Sequence, residues 1–159
     1  MKTITRFQAI QIVKALSDMG LGYLPAEELE SIIDNFELLK SEAEKVNRLK
    51  AELANRIYHE VDTKRLQSFF DAVQKNEEVA EDYMDLLPLR NKEIEVIVSI
   101  YNKVVELDIK EVDGKEFKKA VLKAQPNTKQ SAFEVLVPLF SAEENKEDDF
   151  SELDEFLMK

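Results

Sequence analysis

The chain holds one histidine, His59, in "IYHEVD". With Glu60 and Asp62 it brings three metal-ligand side chains into four residues. On a helix, however, successive side chains point about 100° apart, so 59, 60 and 62 cannot converge on one face. The surroundings predict a solvated or capping histidine near a helix C-terminus. Carboxylates are dense in "AEEL", "NEEVAED" and "AEENKEDD". Glycosidase-type hydrolysis needs two carboxyl groups across a cleft, one of them kept protonated by its environment. Most acids here fall on the polar side of helical patterns, which predicts solvated faces. "DIKEVDG" contains Asp108, Asp113 and Gly114 but has neither the spacing of a calcium loop nor its twelfth-position Glu. Gly20, Gly22 and Gly114 do not form a phosphate-cradling loop. No serine lies in a G-x-S-x-G turn, and with one histidine and no cysteine nucleophilic triads are nearly excluded. The expectation is a non-enzymatic protein with no catalytic residues, no cofactor and no metal site.

Charge narrows the partners. The chain of 159 residues carries a formal charge of −11. Residues 143–159 hold eight acids against Lys146 and Lys159, so the C-terminal end is far more acidic than the body. Phosphate neutralisation supplies most nucleic-acid affinity, so direct nucleic-acid binding is disfavoured. An anionic membrane is disfavoured for the same reason. The natural complement is another protein with a basic or basic-rimmed apolar surface. Lys115, Lys118, Lys119 and Lys123 form the one basic cluster, and they read as the solvent side of a short helix or as a receiver for the acidic tail. The absence of cysteine and of a signal-peptide h-region predicts a cytoplasmic protein. No stretch approaches the roughly 18 apolar residues that span a bilayer.

The elements that must position any site are helices. Apolar residues make up 44% of the chain, with only 3 glycines and 4 prolines, which favours a mainly α fold. Ile4, Phe7, Ile10, Val13 and Leu16, with Ala9 and Ile12 widening the stripe, predict a first helix over 4–19, with Gly20 as the left-handed residue that ends it. Pro25 opens a second. Leu29, Ile32, Phe36, Leu39, Ala43 and Val46 keep a 3–4 spacing, and Leu49, Leu53, Ile57 and Val61 continue it with one slip. The longest helix should therefore lie within 25–62. Its narrow apolar seam needs a partner. The simplest candidate is 63–87, capped by Asp62 or Thr63 and stopped by Pro88, folded back as a long antiparallel helical hairpin with helix 1 on one flank. A continuous kinked rod used for self-association is the alternative.

At "KEIEVIVSIY" the pattern changes. Alternation and β-branched content favour a strand, with "VVELDIKEV" as its partner in a small β-hairpin near 93–112. The same residues also fit a buried helix, and period alone does not separate the two. Asp113 and Gly114 form a turn or cap before short C-terminal helices, the first over 115–124. "SAFEVLVPLF" is apolar enough to dock on the body. The organisation is a single helical domain over 1–140 and a flexible acidic tail over 141–159.

"LPAEELESIIDNFELLKSEAEKVNRLKAEL" (24–53) and "DLLPLRNKEIEVIVSIYNKVVELDI" (85–109) together resemble a family of small phage-encoded proteins of unknown function. Members share a Leu-Pro-led long helix followed by a short Glu/Ile/Val element. The resemblance covers about two thirds of the chain and excludes the tail. It implies a phage or prophage origin, a place in the bacterial cytoplasm or the phage particle, and an assembly or accessory role; it supplies no catalytic residue.

The tail then offers a contact motif. Phe150, Leu153 and Leu157 fall at i, i+3 and i+7, with Phe156 beside them and Asp148 and Asp149 leading in. An acidic, apolar-spaced segment of this kind suits a groove on a partner. These six residues are the expected partner-binding set, and protein–protein contact is the expected function. An acidic inhibitor that fills the basic nucleic-acid cleft of a host enzyme is the alternative.

Overall fold

The computed structural model describes residues 1–75 and 81–141. The fold is mainly α with one small sheet. In chain order it runs β1 (Lys2–Thr5), α1 (Arg6–Ser17), α2 (Ala26–Ile57), α3 (Thr63–Gln74), a 3-10 turn at Glu81–Leu86, α4 (Leu87–Asn102), β2 (Val104–Leu107), α5 (Gly114–Ala124), α6 (Gln130–Val135) and a 3-10 turn at Val137–Leu139. The chain divides into two compact units. One comprises residues 1–43 and the described chain from 104 on; the other comprises 44–103.

The first unit begins with a strand, so the helix expected over 4–19 starts two residues later, at Arg6. Lys2–Thr5 pair antiparallel with Val104–Leu107, Lys2 opposite Leu107 and Thr5 opposite Val104. Thr5 then caps α1 reciprocally: its hydroxyl accepts from the Gln8 N–H, and its own N–H donates to the Gln8 side chain. This start sets the phase of α1, so Ala9, Ile12 and Leu16 are buried while Phe7 is 45% exposed. Ile32 and Leu39 of α2 join the same core as expected, with Leu29 and Phe36 packed at its edge. Phe117, Ala120 and Val121 of α5 close it. The "SAFEVLVPLF" segment does dock, burying Phe133, Leu136, Leu139 and Phe140.

Two polar details pin this unit. Asn35 is fully buried on α2. Its amide donates to the Lys110 carbonyl and accepts from the Lys110 N–H, both at 2.8 Å, so one side chain pairs residue 110 as a neighbouring strand would. Gly20, expected to be a left-handed terminator, has no positive φ. The helix ends earlier, on Asp18 as C-cap. The glycine is needed because a Cβ there would lie 2.9 Å from the Ala124 Cβ.

The second unit corrects the expected hairpin. Residues 63–87 are not one helix: α3 stops at Gln74, and Pro88 sits in the first turn of α4 instead of ending a helix. Of the two readings open for 93–112, β-hairpin or helix, the helix is realised over its first part. Residues 92–101 lie inside α4, and of the proposed pair only 104–107 is a strand, paired with β1. The end half of α2 does have an antiparallel partner, and it is α4. Lys50 meets Tyr101 and Tyr58 meets Glu93, so one number rises as the other falls. The α3 helix adds Phe70, whose ring meets Tyr58 edge-on at 5.5 Å. Asp62 caps α3 through the Arg65 N–H, as the sequence suggested.

The expected longest helix is confirmed as Ala26–Ile57, 32 residues and about 48 Å at 1.5 Å per residue. Among the described residues, no helix is long and apolar enough to cross a membrane.

Candidate functional site

The second unit holds a groove of about 550 Å³. Ala51 and Ala54 of α2 and Ile97 of α4 line it, with Phe70 of α3. Ile94 and Val98 of α4, spaced i, i+4, also line it and are 44% and 50% exposed. Small residues on α2 leave room between the helices, and a helix that places aliphatic groups on its open side leaves an apolar surface wet.

Polar groups mark the two ends. At one, Glu93 is buried and accepts from Arg90 one helical turn earlier and from the Tyr58 hydroxyl at 3.3 Å. The Arg90 guanidinium also lies 5.8 Å from the Phe70 ring centre. Burial, with the Glu93 charge and hydrogen bond as lesser causes, pushes the Tyr58 phenol up to about 12. Tyr58 therefore stays a neutral donor, suited to holding a carboxylate and not to acting as a base near neutral pH. At the other end the Lys50 ammonium donates to the Tyr101 hydroxyl at 2.8 Å. The groove can grip an apolar segment and offer a cation to acids beside it. Glu93, the carboxylate that lines it among the described residues, is held by two donors.

The remaining candidates fall elsewhere. His59 is exposed, and its Nδ1–H donates to the Arg56 carbonyl at 3.0 Å, a capping role at the end of α2. Among the described residues no three His, Asp or Glu side chains are placed to hold a metal. Lys115, Lys118, Lys119 and Lys123 lie on α5 opposite its buried Phe117 and Val121. The expected partner-binding residues Asp148, Asp149, Phe150, Leu153, Phe156 and Leu157 lie outside the described residues. Sequence reading passed over Tyr58, Arg90 and Glu93. The available signal was Arg90 and Glu93 at i, i+3 beside an apolar run, a spacing that only a helix brings together.

Comparison with protein-family models, with curated proteins and with solved structures gives no match.

Proposed function

We propose that the chain is a non-enzymatic assembly or accessory protein whose copies join head to tail, the C-terminal motif of one seated in the groove of the next. The groove carries the reading: an apolar lining, wet Ile94 and Val98, and the Lys50 cation at its edge. Its complement is written in the same sequence, where Phe150, Leu153, Phe156 and Leu157 follow Asp148 and Asp149. Apolar anchors would hold such a contact, and the acids would set its on-rate and salt sensitivity. A motif and a receiving groove at different places on one chain make a heterologous interface, which repeats from copy to copy. The resemblance to small phage proteins agrees with an assembly role of this kind, in the bacterial cytoplasm or the phage particle.

Light scattering across a concentration series tests the reading. The mass of the native chain should rise with concentration. Ile94→Glu with Val98→Glu, and separately Phe150→Ala with Leu153→Ala and Phe156→Ala, should each hold it at the monomer mass with Tm unchanged. A native chain that stays monomeric to its solubility limit removes the proposal. If the tail variant loses Tm instead, its apolar anchors belong to the chain's own core and the proposal fails.

A further inference from the structure

We infer that the lysine face of α5 is a docking surface for the acidic C-terminal segment of the same molecule, with the carboxylates of Glu143–Glu155 lying along Lys115, Lys118, Lys119 and Lys123. The inference rests on where the described chain ends and on what stands beside that end, not on the groove. Phe140 is buried and bridges Val112 in parallel. The Ser141 N–H donates to the Val112 carbonyl at 3.0 Å. The residue after Val112 is Asp113, whose side chain caps α5 by accepting from the Lys115 and Glu116 N–H groups. The acidic segment thus leaves the body at the foot of the helix that carries the basic cluster.

Charge and length both fit. At about 100° per residue, the four lysines share an arc of roughly 140° centred opposite Phe117, Ala120 and Val121. Lys115, Lys119 and Lys123 are exposed, and Glu116 is the one acid within the helix. Lys119 faces Glu116 at 3.8 Å and Lys123 lies over the Tyr23 ring at 4.9 Å, both at the surface and open to exchange for a stronger anion. The segment 143–159 offers eight acids against two lysines. The 11 residues of α5 span about 16 Å, and six residues beyond Ser141 reach at most about 20 Å. Glu147, Asp148 and Asp149 therefore come within range of Lys123, past Glu116. Single exposed ion pairs are weak. Tethering makes this set intramolecular, at millimolar effective concentration, and several pairs act together.

Zero-length carbodiimide coupling, which joins a lysine to a carboxylate already in contact, tests this on the full chain. Unlabelled and 15N-labelled chains are mixed, coupled and mapped by mass spectrometry, so that bonds within and between copies are told apart. The expected result is coupling of Lys118, Lys119 or Lys123 to acids of 143–155 within one copy. It should fall several-fold at about 0.5 M salt, where the Debye length is only a few ångström. A variant with Asp148→Asn, Asp149→Asn, Glu152→Gln, Asp154→Asn and Glu155→Gln leaves the helix untouched and should lose the coupling that those acids carry. A nitroxide on Ser151→Cys, the only thiol in such a chain, should broaden α5 amide signals at low salt, and Lys118→Glu with Lys119→Glu and Lys123→Glu should remove the broadening. Coupling spread evenly over lysines outside α5, coupling only between copies, or broadening indifferent to salt overturns the inference. Coupling only between copies would leave head-to-tail assembly standing, and monomeric behaviour with α5 coupling intact would sink assembly alone.

Discussion

Single residues carry consequences that their types alone do not announce. Gly20 looks like a helix terminator in the sequence, yet its constraint comes from Ala124, whose Cβ would lie 2.9 Å from an added methyl group. Neither methyl group can rotate away. Gly20→Ala is therefore expected to destabilise by about 1–3 kcal/mol, the usual cost of overpacking, measured by chemical denaturation. A loss no larger than that of Gly22→Ala, where an added Cβ meets nothing within 4 Å, would refute it. Tyr58 gives a pH dependence. Its folded phenol is pushed up to about 12 from an ordinary 10, chiefly by burial. A raised folded value means that the native state holds the proton more tightly than the unfolded chain does. Its stabilising contribution is thus full below about pH 10 and lost as pH rises towards 12. Tyr58→Phe removes the hydroxyl and its bond to Glu93, so the mutant should be less stable near pH 9, and the gap to the native chain should narrow steadily between pH 10 and 12. A gap that is constant or widens over that window would contradict the assignment.

At the scale of elements, α2 shows how one helix serves two units. Its stripe at intervals of three and four was legible, and Ile32, Leu39 and Val46 are indeed buried. Burial along the stripe is uneven, however. Leu39 is fully enclosed, while Phe36 lies half-buried at the rim of the core. Leu39→Ala should therefore cost about 2–5 kcal/mol, and Phe36→Ala should cost less despite deleting a larger side chain. Equilibrium denaturation of the two variants decides; the reverse order would show that Phe36 is a core residue after all. The α4 helix teaches the opposite lesson. "KEIEVIVSIY" alternates like a strand, but Arg90 reaches Glu93 across three residues and Tyr58 covers that carboxylate. The same run places Ile94, Ile97, Val98 and Tyr101 at helical spacing on the groove side, so its apolar residues serve a helix face as well as they would a strand.

For the molecule as a whole, charge distribution is the organising feature. The two proposed contacts both use the acidic end: one sets it on the lysine face of α5 within one copy, the other sets its apolar anchors in the groove of another. These contacts differ in kind. The first is electrostatic and should fade with salt. The second combines apolar burial with a few charges, so its rate of formation should depend on salt more than its lifetime does. Assembly that strengthens when the α5 lysines are reversed would fit a tail held in reserve by its own body.

The sequence by itself determined the helical class, the span within which α2 lies, Asp62 and Asp113 as candidate caps, the docking of 131–140 and the charge polarity. Each of these depends on neighbours within a few turns, where periodicity, capping chemistry and backbone breakers act. Thr5 and Gln8 were a readable capping box as well, although the strand before them was not. Tertiary structure decided which segments meet. The pairing of Lys2–Thr5 with Val104–Leu107 joins residues about a hundred positions apart, and it is what makes the residues before α1 a strand. Asn35 reads as an ordinary polar residue until the Lys110 backbone comes within 2.8 Å. The groove exists because α4 runs antiparallel against the end of α2, with Phe70 of α3 completing its lining. Such choices are settled by complementary packing and buried polar partners between distant segments, which no local pattern encodes.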